Sequence, residues 1–490
     1  QPSIRDIGTN YLLMGELIKA EKFLSKSLKL NSKDYINLNS LGLLKMHRDQ
    51  SEEARSLYEH AIKINKDYHP SYNNLGLYHD RKGEKDLAFK NYKKCLEIKS
   101  DYPNALNNIA MSYCYYEEID KAFDCFNKAL KIDPKMIDLY FNIGHTYFEL
   151  REFNKAEDWF KKGFSMEPEN INGNYNYAFM LLALEKYKDA WEKYEYRLLK
   201  SNKLNENFLY EDIKEKIWKK FDLLKDKILI VREQGAGDEI LYSSMYKELI
   251  SKNKNVNIEV DPRLLSLFKR SIDFENFIPT NKISQNKKLL KNVDKIIFAG
   301  SLGKYFRKNK AEFPSNKKYL ITNKVLSKKL KLRLNKINKK PKIGISWYSK
   351  NKRIGLGKSV DLKILEQILK NDKFCFINLQ YDDHLDEIKK FKNDTGVEII
   401  DLKDIDKFND FESLASLLDS LDLMITVSNT TAHLSAAIGK ETWVLAPKND
   451  SLLFYWNTGS KETPWYPSVK IFSKKTDWFN VVKNINLELE

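Results

Sequence analysis

Three series of positions, each advancing by 34 residues, run through the first two hundred residues of this 490-residue chain. Small residues fall at Gly8, Gly42, Gly76, Ala110, Gly144 and Ala178. Alanines recur at Ala20, Ala54, Ala88, Ala122, Ala156 and Ala190. Bulky residues occupy Leu24, Tyr58, Tyr92, Phe126, Phe160 and Tyr194, and Pro134 and Pro168 close two of the units. A fixed period of this length means two-helix units that bury their apolar faces only by stacking on neighbours. The small residues let the helices of a unit approach closely. The bulky residue is expected to fill the gap to the next unit.

The period and residue types are those of tetratricopeptide repeats. They predict an α-solenoid of six repeats over residues 1–204, with a concave groove lined by the first helix of each. Asn74, Asn108, Asn142 and Asn176 hold one position in four consecutive repeats, whereas Asp6 and Ser40 replace Asn in the first two. Such a ladder of amides would offer a donor and an acceptor at each step to an extended peptide. Frequent Asn at this position, whatever the repeat binds, is the competing reading.

Beyond residue 204 the pattern changes to strand–helix alternation. Apolar runs at Lys227–Val231, Val256–Val260 and Val293–Phe298 read as strands, with a helix at Ile240–Ile250. A helix and linker are expected in Thr322–Lys340, and strands resume at Ile343–Trp347, Phe374–Leu379, Val397–Ile400, Leu423–Val427 and Thr442–Leu445. This predicts two parallel-sheet α/β domains, 205–340 and 341–490. Ligands of such sheets bind at the carboxyl ends of the strands.

Charge is distributed unevenly between these regions. Residues 1–204 carry 32 Lys and Arg against 30 Asp and Glu, 205–342 carry 33 against 16, and 343–490 carry 19 against 22. The net +16 therefore sits on the middle segment, as a solvated face, a nucleic-acid patch or a cleft wall for an anionic substrate. No RNA-binding aromatic signature accompanies it, so no nucleic-acid partner is expected. Four scattered cysteines give no disulfide scaffold and point to a reducing, cytoplasmic compartment. Seven histidines, five of them before residue 150, show no zinc-ligand spacing, so no metal is expected. No apolar run approaches the ~20 residues of a membrane-spanning helix, so neither a transmembrane segment nor a signal peptide is expected. Gln1 in place of Met suggests a trimmed start.

Three segments that follow strands carry chemistry. Gln234-Gly235-Ala236-Gly237-Asp238 is not a dinucleotide fingerprint, because Ile240 stands where a third Gly is required. Its glycines permit close approach of a ligand, and Asp238 at the mouth of a helix is either a general base or an N-cap, the cap being favoured from spacing alone. Ser346 to Ser359 holds Lys350, Lys352, Arg353 and Lys358. Gly357-Lys358-Ser359 mimics the end of a phosphate loop, but Lys352 occupies the place of its first Gly, so only a cationic loop remains. Ser428-Asn429-Thr430-Thr431-Ala432-His433 opens a helix whose free N–H groups suit an anion. His433 adds a donor there or is a packed core residue.

Together with Gly344-Ile345-Ser346-Trp347, Leu379-Gln380 and Pro464-Trp465-Tyr466-Pro467, these segments resemble one group, in order along essentially the whole chain. It is the bacterial tetratricopeptide-fused glycosyltransferases, whose catalytic half is similar to lipopolysaccharide heptosyltransferases and whose domain plan resembles that of the O-GlcNAc transferases. The resemblance implies a GT-B fold of two Rossmann-like domains, with 205–340 on the acceptor side and 341–490 binding the nucleotide-sugar. It implies Asp238 as catalytic base, with Gln234, Gly235 and Gly237 in the acceptor loop. Donor binding would fall to Ser346, Lys350, Arg353, Lys358, Gln380, Asn429, Thr430, Thr431 and His433. Ser428-Asn429 replaces the Asp-Thr of many relatives, and Lys358 replaces an Arg.

The expectation is an inverting, metal-independent transfer, with no cofactor, from a nucleotide-sugar to a Ser or Thr hydroxyl of a protein held by the repeats. A non-catalytic repeat scaffold with a degenerate transferase half, or transfer to a glycan or lipid-linked acceptor, are the alternatives.

Overall fold

The computed structural model describes residues 3–200, 214–218, 220–280, 287–350, 355–381, 384–448, 452–456 and 459–490. The chain divides into two compact units, one built on Gln1–Pro168 and the other beginning at Glu169.

The first unit is a run of antiparallel helix pairs: α1 (Ile4–Leu13), α2 (Leu17–Leu30), α3 (Tyr35–His47), α4 (Ser51–Ile64), α5 (His69–Lys82), α6 (Lys85–Ile98), α7 (Pro103–Tyr115), α8 (Ile119–Ile132), α9 (Ile137–Glu149) and α10 (Phe153–Met166). The small residue of each first helix lies under the bulky residue of its own second helix. A Cβ added at Gly42 would come within 2.5 Å of the Tyr58 ring, and Gly76 is covered in the same way by Tyr92. The aromatic therefore closes the gap inside a repeat, not the gap to the next one as the sequence suggested. A further series is conformational. Gly15, Asp49, Gly83, Glu117, Arg151 and Glu185, again 34 apart, all have positive φ at the turn between paired helices. Only two are glycine, so residue type hides the repeat that the backbone keeps.

The second unit opens with α11 (Ile171–Ala183) and α12 (Tyr187–Tyr194), so the sixth helix pair belongs to it and not to the solenoid unit. Two all-parallel sheets follow. The first contains β1 (Ile228–Val231), β2 (Val256–Val260), β3 (Phe277–Pro279) and β4 (Lys295–Phe298) in the order β3-β2-β1-β4. The second contains β5 (Lys342–Ser346), β6 (Cys375–Asn378), β7 (Ile399–Ile400), β8 (Leu423–Val427), β9 (Thr442–Ala446) and β10 (Val469–Ser473) in the order β10-β9-β8-β5-β6-β7. β1, β4, β5, β6, β8 and β9 are buried along their whole length, as continuous apolar runs covered on both faces require. β3 and β10 were not anticipated, and the helix expected at Ile240–Ile250 is two, α13 (Ala236–Ser243) and α14 (Tyr246–Lys252).

Four further helices matter below: α15 (Lys324–Ile337), α16 (Leu385–Thr395), α17 (Phe411–Asp419) and α18 (Thr430–Ala437). One apolar core runs from Trp191 and Tyr194 of α12 through Ile228, Ile230 and Ile258 of the first sheet to Ile377, Met424 and Val444 of the second. A separate cluster, including Ile343, Ile345 and Ile425, fills the opposite face of the second sheet.

Candidate functional site

Two strand-to-helix turns meet between the sheets. β1 leads through Gln234 and Gly235 into α13, and β8 leads through Ser428 and Asn429 into α18. Gly237 is the point of contact: a Cβ there would lie 2.9 Å from Cδ2 of His433 and 3.5 Å from Cα of Thr430. The second glycine of the motif is thus required for close packing of two helix starts. Gln234 has φ +60°, an uncommon left-handed conformation for a non-glycine residue, and its neighbour Gly235 is the N-cap of α13. Asp238 is therefore the third residue of the helix and not its cap. It is half-buried and engaged in the electrostatics of the site.

α18 is capped by Asn429, whose Oδ1 accepts from the Ala432 N–H at 3.2 Å. The first-turn amides of Thr430 and Thr431 have no intrahelical acceptor, as at any helix start. His433 is 3% exposed. Its Nδ1 is 2.8 Å from the Tyr466 hydroxyl, and the rings of Tyr455 and Trp456 enclose it at centroid distances of 4.7 and 5.3 Å. Burial, reinforced by nearby Lys358, pulls its pKa down to about 3, so the ring is neutral at physiological pH. Tyr466 of the Pro464–Pro467 motif thereby acquires a role in fixing His433.

Lys358 is the unusual cation. It is 4% exposed, and among the described residues its ammonium makes no hydrogen bond or ion pair; Asp238 and His433 are its electrostatic neighbours. Burial lowers its pKa to about 8, against the attraction of Asp238. A largely buried ammonium coupled to residues in the first turns of two helices has the chemistry to attract an anion. Lys350 is exposed, with its Nζ 5.6 Å from the Phe408 ring centroid. Arg353, like Lys352, lies outside the described residues.

Ser346, Gln380 and Asn429, expected to bind donor, are instead committed to one another. Gln380 Oε1 accepts from Ser346 Oγ (3.0 Å) and from the amides of Trp347 (3.1 Å) and Tyr348 (2.9 Å). Asn429 Nδ2 donates to Ser346 Oγ at 2.8 Å. All three are buried, so they lock the carboxyl ends of β5, β6 and β8 together and shape the loop after β5. Beside them, an open depression of about 360 Å³ is lined by Asn378, Gln380, His384, Leu385, Asp401, Lys403 and Lys407. Lys407 there pairs with Asp401 at 2.7 Å.

Sequence reasoning missed what holds the Gln234 turn. Arg197 donates to Glu233 from Nε (2.9 Å) and Nη2 (2.8 Å), and its Nη2 also reaches Ser301 Oγ at 2.9 Å. Glu233 accepts in addition from the Gly300 N–H. Tyr194 and Tyr242 share a hydroxyl contact at 3.1 Å, tying α12 to α13. Glu233 immediately precedes the Gln234–Asp238 motif, but nothing in the sequence singles out Arg197.

In the first unit, the Asn ladder exists in altered form. Nδ2 of Asn74, Asn108 and Asn142 donates to Oδ1 of Asn39, Asn73 and Asn107, respectively, at 2.9–3.0 Å. Each amide thus spends a donor on the preceding repeat, and what it offers a peptide is reduced accordingly. Asn176 lies on α11 of the second unit and is half-buried. Among the described residues, no group of three or more His, Cys, Asp or Glu side chains is arranged to hold a metal ion. No described helix is long and apolar enough to cross a membrane.

Residues 69–102, 103–136 and 137–170 match models of the tetratricopeptide repeat, and their starts coincide with those of α5, α7 and α9. The N-terminal helices are therefore a tetratricopeptide solenoid, an architecture that suggests a protein partner. The chain is 27% identical to Protein FlbA of Caulobacter vibrioides over 308 residues, 60% of this chain and 50% of that protein. It thus spans about half the length of the curated relative it matches. Among solved structures, the Cut9–Hcn1 hetero-tetramer of the APC/C is 20% identical over 40% of this chain and 39% of that one, with a TM-score of 0.37. TTC0263, a tetratricopeptide protein of Thermus thermophilus, is 18% identical over 36% and 97%, with a TM-score of 0.33.

Proposed function

We propose that this protein is an inverting, metal-independent glycosyltransferase acting on a Ser or Thr hydroxyl of a protein held by its repeats, the two sheets forming a GT-B cleft. The observation that carries the reading is Lys358, a buried lysine with no hydrogen-bonding partner among the described residues and with Asp238 of α13 and His433 of α18 as its electrostatic neighbours. This is the environment a nucleotide diphosphate leaving group requires.

In the proposed step, the Asp238 carboxylate takes the proton of the acceptor hydroxyl. The oxygen attacks the anomeric carbon from the face opposite the diphosphate, a new C–O bond forms, and the bond to the diphosphate breaks with its electron pair. Lys358 and the α18 amides stabilise the charge gathered on the leaving group, and loss of one such donor costs roughly 10²–10³ in rate. Ser346, Gln380 and Asn429 hold the strand ends that frame the donor, and the depression beside Gln380 has room for its nucleoside half. His433, neutral and tied to Tyr466, orients the start of α18 without supplying charge.

The test is a thermal-shift panel of nucleoside diphosphates followed by intact-mass analysis of co-expressed candidate acceptors. One nucleotide should raise Tm by mass action. Asp238→Asn should keep that shift and lose transfer, and full transfer by the variant would reject Asp238 as the base. Absence of any nucleotide shift would leave the repeats as a protein-binding scaffold.

A further inference from the structure

The cations of the basic middle segment are not all spent inside the second unit in the same way. Lys304 pairs with Glu192 and Lys310 with Glu185, holding the last helix pair, while Arg270 pairs with Glu412 of α17. α15 differs. Its 14 residues include six Lys or Arg and no acidic residue. Lys324 reaches Asp419 at 3.2 Å and Arg333 reaches Asp404 at 2.7 Å. Lys328, Lys329, Lys331 and Lys336 make no hydrogen bond or ion pair among the described residues and stand exposed.

The helix buries Ser327, Leu330 and Leu334. With about 100° of rotation per residue, Val325 and Leu332 share one line on the opposite side, flanked by Lys328, Lys329 and Lys336. These two apolar side chains are 80% and 56% exposed, and Ile337 at one end of the helix is 50% exposed. An isolated exposed apolar residue needs no explanation, but two on the outermost line of a helix among unpaired lysines do.

We infer that the outward face of α15 is a docking surface for an anionic lipid bilayer. A nucleic acid would use the lysines but gain nothing from Val325 and Leu332. A bilayer interface takes both, because its headgroups attract the ammonium groups and its acyl boundary receives the apolar pair. Attachment is peripheral, resting on one helix face.

The full chain should co-sediment with vesicles of phosphatidylcholine mixed with phosphatidylglycerol, and less so as salt rises, but not with phosphatidylcholine alone. Each lysine near such a surface contributes about fivefold in partitioning. Lys328→Gln with Lys329→Gln should therefore weaken binding roughly 25-fold. Val325→Ser with Leu332→Ser should also weaken it, and because all four residues are exposed, Tm should stay unchanged in both variants. No binding to anionic vesicles would overturn the inference, as would binding that both variants leave intact. So would a preference for tRNA that is insensitive to the Val325 and Leu332 changes. None of these outcomes bears on nucleotide binding at Lys358.

Discussion

Arg197 and Glu233, 36 residues apart in the chain, form a two-point hydrogen-bonded ion pair with both side chains almost fully buried. It joins the chain just after the last repeat helix to the residue before the strained Gln234 turn, and so to the start of α13. Within the second unit, its opening helix pair and the candidate site are connected here by buried charge as well as by apolar packing.

Breaking that pair from one side strands a charge. Arg197→Met should cost about 3–5 kcal/mol in denaturant unfolding of the second unit, because Glu233 is left buried with fewer donors. Arg197→Met with Glu233→Gln should recover a large part of the loss, a coupling that a double-mutant cycle measures.

Gly237 tests the contact between helix starts. A Cβ at this position meets the His433 ring, which Tyr466, Tyr455 and Trp456 prevent from moving aside. Gly237→Ala should destabilise by about 1–3 kcal/mol through overpacking and should weaken nucleotide binding as α18 shifts. Tm and nucleotide titration read the two effects separately.

Lys358 sets a pH dependence. Its pKa, lowered to about 8 by burial, means that the ammonium is present below that pH and lost above it. Affinity for a nucleoside diphosphate should therefore fall as pH rises through about 8, and Lys358→Met should bind weakly with no such step. Calorimetric titration from pH 6.5 to 9.5 checks this. His433 contributes no step in that range, since its pKa lies near 3.

Glu239 gives a stability signature. Burial raises its carboxyl from 4.5 to about 7, despite Arg232 Nε at 2.7 Å and the Asp261 N–H at 2.8 Å. The native state holds this proton more tightly than the unfolded chain. Its contribution to stability is therefore complete below about pH 4.5 and disappears as pH rises through about 7. Glu239→Gln should flatten the dependence of Tm on pH between 5 and 7.

Legibility followed the range of the forces involved. The repeat was readable because packing between paired helices forces small residues opposite bulky ones every 34 positions, as at Gly42 and Tyr58. β8 was readable to the residue, since a strand buried on both faces is an almost continuous apolar run, and β2 was readable from its alternating Val256, Ile258 and Val260. β3 is three residues long and ends on Pro279, too short to stand out. The positive-φ turns at Asp49, Glu117, Arg151 and Glu185 escaped notice because geometry recurs there without a recurring residue.

At the site, the sequence by itself determined which turns follow the strands, because local backbone demands are written in residue types, whereas the need for glycine at 237 comes from its contact with His433. Only the tertiary structure decided that Ser346, Gln380 and Asn429 spend their polar atoms on one another, that Arg197 holds Glu233, and that Lys358 is buried with no hydrogen-bonding partner among the described residues. The physical reason is that a side chain's hydrogen-bonding capacity is allotted by whatever the fold brings within about 3 Å, and residues tens of positions apart in sequence carry no mark of that encounter.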